Sequence, residues 1–387
     1  MKKLKRIISF ALSAVLSMSC LSGCTANKKS TNIVIGGCGP LTGSSAQYGL
    51  AVKNATELAV KHINEEGGVN GTYLELQFED DEADSGDRAV NAYNVLKDNG
   101  MQIFLGTVTT GSGLALIEKS NLDNIFQITP SASAVDIIRN DNCFQICFTD
   151  PNQGTASADF ISQHNLSSKA AVIYDSSDAY SSGIYNTFIT QAKAIGLNVV
   201  SETSFTKDSK TDFSAQLSSA KSAGADLIFL PIYYQEASLI LRQAKSMGYS
   251  PTFFGCDGLD GILATDNFDV SLAEDVMLLT PFAADADDEA TQKFVNSYKE
   301  EYGDIPNQFA ADAYDGVYIL AKLIEEYDIT ADMSNEEICD ILIKGITSDD
   351  FSYDGLTGEN MTWDESGAVS KAPKAVIIKN GAYQSLD

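Results

Sequence analysis

Apolar residues in this chain fall into short continuous runs, separated by longer stretches in which they recur every three or four positions. The first run, residues 33–38, reads as a buried strand. Over 47–66, Tyr48, Ala51, Val52, Ala55, Leu58, Ala59, His62 and Ile63 then follow at helical spacing until Gly67 and Gly68 stop the helix. A strand at 74–78, a helix over 86–98 closed by Gly100, a strand at 102–105, a helix through 114–120 and a strand at 125–128 continue the series. Strands alternating with amphipathic helices predict a parallel sheet covered on both faces. The rhythm restarts after Phe148: strands at 170–174, 199–205, 227–230 and 252–254 enclose helices through 185–194, 213–223 and 236–247, which end at Gly196, Gly224 and Gly248. Two series of similar length predict two lobes of similar topology, without a residue-level repeat between them. From Asp287 the pattern is helical (287–302, 312–326, 335–343). It closes on a hairpin, 375–379 and 382–383, turned by Asn380-Gly381.

The N-terminus belongs to neither series. Lys2, Lys3, Lys5 and Arg6 precede an apolar run over 7–18, and Leu21-Ser22-Gly23-Cys24 follows. Basic residues, a short apolar stretch and small residues before a cysteine are the pattern of a lipoprotein signal, cut at Cys24 after its thiol is acylated. The run is shorter than the roughly 18–20 residues a spanning helix needs. The expected layout is a signal peptide at 1–23, a lipid-anchored tether at 24–32, lobe 1 from 33–148 with 282–350, and lobe 2 from 149–281 with 351–387.

Removal of 1–23 leaves 22 basic against 53 acidic residues, a formal net charge of −31. That charge repels nucleic acid and anionic lipid alike, which points to a dispersed, monomeric body held off the membrane surface. Of seven cysteines, Cys20 leaves with the signal and Cys24 carries lipid. Cys38, Cys143, Cys147, Cys256 and Cys339 are scattered singly. They read as buried thiols, with one long-range disulfide as the alternative. Cys143 and Cys147 share an extended run, which would hold them about 13 Å apart, too far to bond each other. Only two histidines exist, His62 on a periodic helix face and His164 near a helix end. With no Ser-His-Asp set, no phosphate-binding glycine motif and no metal-ligand spacing, the pattern points away from an enzyme and calls for no cofactor and no metal.

Ligands of open α/β sheets bind beyond the carboxyl ends of the strands. Several loops there are rich in glycine and hydroxyls: 106–113, 128–133 and 178–183, which holds Tyr180, together with Tyr233-Tyr234 and Gly255-Cys256-Asp257-Gly258. The amides opening the helix after 106–113 attract a carboxylate, and an acid at a strand end suits an ammonium. Each loop read alone is also ordinary turn chemistry.

Taken in order, these loops resemble the leucine/isoleucine/valine-binding proteins of ABC importers, a family of type I periplasmic-binding-protein fold. The likeness runs from Asn32 to Tyr383. Its marks are Gly39-Pro40-Leu41-Thr42-Gly43 with Tyr48-Gly49, Glu79-Asp80-Asp81, Ile128-Thr129-Pro130, Lys210-Thr211-Asp212-Phe213-Ser214, Leu241-Arg242-Gln243-Ala244-Lys245, Ala313-Tyr314-Asp315-Gly316-Val317 and Trp363-Asp364-Glu365-Ser366-Gly367. The resemblance implies an α/β fold of two Rossmann-like lobes joined by a multi-strand hinge, with an amino acid, branched-chain or related aliphatic, bound between them and delivered to a membrane permease. It implies that Thr110 meets the ligand carboxylate, that Ser131 and Ser133 offer a carbonyl and a hydroxyl to both poles, and that Asp257 takes the ammonium. Tyr48, Tyr180, Tyr233 and Phe309 would form the walls. Asp257 stands where relatives often have glutamate, and Ala83 and Thr109 stand where some have a disulfide. Amides and aromatic acids are therefore alternative ligands, and partnership with a sensor rather than an importer is the alternative role. Acidic stretches at 285–289 and 336–337 read as solvated faces.

Overall fold

A computed structural model describes residues 32–83 and 86–386 of the chain. The expected signal peptide and Cys24 lie outside the described residues, as does the expected tether apart from Asn32.

The first series folds as β1 (Asn32–Gly39), α1 (Ala46–Glu65), β2 (Tyr73–Asp80), α2 (Gly86–Asp98), β3 (Ile103–Leu105), α3 (Thr110–Leu122), β4 (Phe126–Thr129) and β5 (Cys143–Gln145). Its five strands form one parallel sheet in the order β2-β1-β3-β4-β5. The second series is α4 (Asp150–Gln163), β6 (Ala170–Asp175), α5 (Ala179–Ile195), β7 (Val199–Phe205), α6 (Ser214–Ala223), β8 (Leu227–Leu230), α7 (Tyr234–Ser246), β9 (Thr252–Gly255) and β10 (Met277–Thr280). There the order β7-β6-β8-β9-β10 repeats the first topology, and the antiparallel pair β11 (Lys374–Lys379) and β12 (Ala382–Ser385) extends it beyond β10. Each sheet therefore reverses its winding beside its first strand, which opens a crevice at the carboxyl ends.

The apolar stripe read along α1 is its buried face: Tyr48, Ala51, Val52, Ala55, Leu58, Ala59 and Ile63 are all covered. Each fully buried valine or leucine there contributes about 1.5–3 kcal/mol. Gly49 lets α1 start this close to the β1 loop, because a Cβ at that position would lie 1.9 Å from the Pro40 carbonyl oxygen. The C-terminal helices α8 (Glu289–Tyr302), α9 (Gln308–Glu326) and α10 (Asn335–Ile346) return to the first sheet's layer, with α9 packed along α1.

One expected boundary is corrected. Residues 351–387 do not all join the second lobe, because 353–369 lies against the edge of the first sheet. Trp363 Nε1 donates to the Gln145 carbonyl at 2.7 Å, and Gln145 N donates to the Gly367 carbonyl at 2.9 Å. The backbone amides of Leu356 and Thr357 are held by Asp315 of α9, at 2.9 Å each. A buried indole satisfying β5 from outside closes that sheet edge, so the chain crosses to the second sheet only at about residue 370.

The histidines and thiols take structural places. His62 Nδ1 lies 3.0 Å from the Tyr314 hydroxyl, with its pKa lowered by burial, and His164 stacks on Phe160 at 4.1 Å. Cys38, Cys143, Cys147, Cys256 and Cys339 are all buried free thiols, so the long-range disulfide does not form among them.

Candidate functional site

The loops at the strand ends converge on one small cavity of about 20 Å³, lined by Tyr48, Val108, Thr109, Thr110, Ser131, Tyr180, Tyr233, Asp257, Gly258 and Phe309. Seven of the eight residues expected from sequence are in that wall. The eighth, Ser133, lies just behind it: its backbone N donates to Thr110 Oγ1 at 3.2 Å, while its hydroxyl turns away to Asp150 Oδ1 at 2.7 Å. Outside the cavity is a wider mouth of about 740 Å³, edged by Ser44, Ser45 and Ser112 on one side and by Asp178, Lys207 and Glu236 on the other. Tyr180 and Tyr233 border both spaces.

Donors and acceptors in the wall are arranged with a polarity. Thr110 opens α3, so the first amides of that helix carry its positive end toward the cavity. Its hydroxyl oxygen already accepts from Ser133 N, which leaves its proton to be donated. Ser131 Oγ donates to the Val108 carbonyl at 2.5 Å, so in the wall it is left as an acceptor, while behind the wall Ser133 Oγ is engaged with Asp150. Gln145 holds the loop in place, donating from Nε2 to the Ala132 and Ala134 carbonyls at 2.8 and 3.2 Å.

Asp257 stands opposite, at the start of a 3₁₀ turn after β9, and is 3% exposed. Tyr180 donates its hydroxyl to Oδ1 at 2.5 Å, and Gln153 Nε2 donates to Oδ2 at 3.0 Å. Burial pushes the Asp257 carboxyl up to about 6, against the pull of those two bonds. The hydroxyls of Tyr180 and Tyr48 are engaged within the protein: Tyr180 accepts from Gly258 N at 2.9 Å, and Tyr48 donates to the Gly258 carbonyl at 2.5 Å while accepting from Tyr234 N at 3.2 Å. These rings therefore present apolar faces to the cavity. Phe309 packs edge-on to Tyr48 at 4.8 Å, and Tyr233 stacks on Tyr180 at 5.0 Å. Only glycine fits at 258, since a Cβ there would meet the Tyr180 hydroxyl at 2.5 Å.

Gln153, Asp150 and Gln308 were not foreseen from sequence. Gln153 grips Asp257 twice, because its Oε1 also accepts from Asp257 N at 3.3 Å, and Gln308 Nε2 reaches the Asp257 carbonyl at 3.3 Å. Thr149-Asp150-Pro151, a cap residue followed by proline within the first turn, was the available signal that a helix begins there. Among the described residues no three His, Cys, Asp or Glu side chains gather as metal ligands. The arrangement can hold a small dipolar molecule by opposite poles between aromatic walls.

A model of the family described as periplasmic binding proteins matches residues 32–381. Leu/Ile/Val-binding protein homolog 3 of Brucella melitensis is 33% identical over 59% of this chain and 62% of its own length, so the aligned region spans less than two thirds of that relative. The leucine-, isoleucine-, valine-, threonine- and alanine-binding protein of Pseudomonas aeruginosa is 28% identical over 85% of both chains. Among solved structures, the branched-chain amino acid transporter substrate-binding protein LivJ of Streptococcus pneumoniae, in complex with isoleucine, superposes with a TM-score of 0.82 at 26% identity. That match covers 92% of this chain and 98% of the other.

Proposed function

This chain belongs to the periplasmic binding protein family, and on that premise we propose that it is the extracytoplasmic solute-binding component of an ABC importer, taking an aliphatic amino acid into the interlobe cleft and presenting it to the permease. The observation that carries the reading is the polarity of the cavity wall: a proton to donate on Thr110 at a helix N-terminus, and acceptors on Asp257 and Ser131. A zwitterion is the complement of that pattern, and Tyr48, Tyr180, Tyr233 and Phe309 suit an apolar side chain. The names of the relatives supply the branched-chain preference. Lobe 1 is 33–148 with 282–369 and lobe 2 is 150–281 with 374–386. Ligand pockets usually measure about 300–1,000 Å³, so a cavity of about 20 Å³ admits an amino acid only as the lobes part, and closure then engages both.

Calorimetric titration with leucine, isoleucine, valine, an aromatic amino acid and benzoate tests the ligand, and its pH dependence tests the site. Asp257 is pushed up to about 6 by burial, and an ammonium beside it holds it ionised, so its pKa is lower in the complex than without ligand. Affinity is then full above about pH 6 and weakens as pH falls below it, by about tenfold per pH unit. Equal dissociation constants at pH 7.5 and 5, or binding of benzoate alone, would remove the assignment.

Anchoring follows from the N-terminal pattern: Cys24 carries the lipid, and no helix among the described residues is long and apolar enough to cross a membrane. In a bacterial host, Cys24→Ser is expected to move the protein from the membrane fraction to the soluble fraction and to abolish labelling by a palmitate analogue. Labelling that persists in the variant rejects the anchor.

A further inference from the structure

We infer that Asp260 is a positioning residue: by docking on the N-terminus of α9 it latches lobe 2 to lobe 1 and holds the turn that carries Asp257, so ligand affinity draws on a contact outside the cavity. This role rests on the lobe closure proposed above. Neither Asp260 nor Gln308 is in the cavity wall. Asp260 Oδ2, in lobe 2, accepts from Gln308 N of α9, in lobe 1, at 3.0 Å, and the two residues are 5% and 2% exposed. Asp257 is tied to Asp260, because Asp260 N donates to the Asp257 carbonyl at 2.8 Å across one 3₁₀ turn. Gln308 Nε2 reaches that same carbonyl at 3.3 Å.

Helix chemistry makes that amide available. A helix leaves its first four N–H groups without internal partners. Asn307, the cap of α9, accepts from Ala310 N at 3.1 Å, so the Gln308 amide is left for a partner from outside. Asp260 supplies a carboxylate there, at the positive end of a helix of 19 residues. Burial pushes that carboxyl up to about 6, opposed first by the Gln308 amide and then by the Tyr383 hydroxyl of β12. At pH 7.5 it is therefore ionised. Tyr383 also accepts from Gly261 N at 3.2 Å, which anchors the end of the turn to its own lobe. Tyr48 and Gln47 of α1 also reach lobe 2, but through neutral groups: Tyr48 bonds the Gly258 carbonyl and Tyr234 N, and Gln47 N donates to the Tyr234 hydroxyl at 3.4 Å. A hydrogen bond to an ionised group is about twice as strong as a neutral one, so Asp260 leads this set. The mouth between the lobes meanwhile leaves about 740 Å³ open.

Small-angle X-ray scattering and calorimetric titration with leucine, on the full chain and its variants at pH 7.5, test the latch. Asp260→Ala removes it from lobe 2. Gln308→Pro removes it from lobe 1 without touching Asp260: proline suits the first position of a helix, and Asn307, at φ −94° and ψ −179°, already has the extended shape that a following proline imposes. Without ligand, both variants are expected to show a larger radius of gyration than wild type. Leucine is expected to return each to the wild-type bound radius, with a dissociation constant raised about ten- to a hundredfold, because a less populated closed form lowers apparent affinity in proportion. Asp260→Asn, whose side-chain oxygen still accepts from Gln308 N, is expected to fall between, and Gln308→Ala, which keeps the amide, to lose only a fraction of the effect. Far-UV circular dichroism confirms that each variant is folded. On an Asp260→Ala background, Gln308→Pro is expected to change neither readout much further, because the two residues form one contact. Ligand-free radii in folded variants no larger than that of wild type, or losses that add in the double variant, overturn the latch and leave the amino-acid reading intact. A wild type that binds no amino acid but still expands on Asp260→Ala removes that reading and keeps the latch.

Discussion

Asp257→Ala is expected to weaken amino-acid binding by about 2–5 kcal/mol, a loss of roughly 30- to several-thousand-fold, because it strips the partner from a charge buried on closure. Asp257→Asn separates binding from folding. In the unfolded chain this carboxyl loses its proton near the ordinary 3.8, whereas in the folded chain it holds on until about 6. Between those values, raising the pH favours the unfolded chain, so the ionised group costs the ligand-free fold about 3 kcal/mol at pH 7. A neutral amide of the same shape lifts that cost. The ligand-free melting temperature of Asp257→Asn is therefore expected to match or exceed wild type, while the rise on adding leucine disappears. A variant that melts early and still responds to leucine would show Asp257 to be a structural acid, with the ammonium held elsewhere.

Strong periodicity made most of this fold legible, and its failures have physical causes. The α1 stripe and the Asn380-Gly381 hairpin stand in the structure where the pattern put them. Helix α4 was missed because it has no apolar stripe: Pro151, Gly154, Thr155, Ser157 and Ala158 dominate it. It packs instead by closeness, with a Cβ on Gly154 only 2.1 Å from Thr187 Oγ1 of α5. Small residues that let helices touch look, in sequence, like a loop. Strand β10 escaped because three apolar residues and a threonine after an irregular stretch do not distinguish strand from helix. The segment 353–369 makes only isolated bridges, Tyr353 with Met361 and Trp363 with Val369, so nothing periodic announced its place on β5. At the candidate site, residues on strand-end loops were readable because topology brings those loops together. Asp150 and Gln153 act through bonds from the unread α4, and the direction of the Ser133 proton exists only once Asp150 is beside it.

Lys371→Met is expected to produce the largest loss of stability. Lys371 lies where the chain crosses from the first sheet's edge to β11. Its side chain is 1% exposed, and Nζ lies 2.6 Å from Asp312 Oδ1 of α9, a side chain itself 2% exposed. Nζ also donates to Thr357 Oγ1 at 3.0 Å and sits 5.5 Å from the centre of the Phe148 ring, on the earlier crossing between the lobes. Burial raises the Asp312 carboxyl, and the Lys371 charge does most to hold it down. Without the lysine, Asp312 is left as an uncompensated buried charge, at a cost of about 3–5 kcal/mol at neutral pH. Sign follows from the proton balance: the folded variant holds the Asp312 proton to a higher pH than the unfolded chain does. The deficit is therefore smallest in acid and grows as pH rises through the folded pKa. Replacing both partners, Asp312→Leu with Lys371→Met, removes the stranded charge and is expected to recover most of the loss, since a buried pair is often matched by apolar residues of similar volume. Urea denaturation of the two single variants and the double variant at pH 5 and 8 measures this. A Lys371→Met protein as stable as wild type at pH 8, or a double variant no better than the single, would mean that the pair does not carry the crossing and that packing around Phe148 and Trp363 holds it.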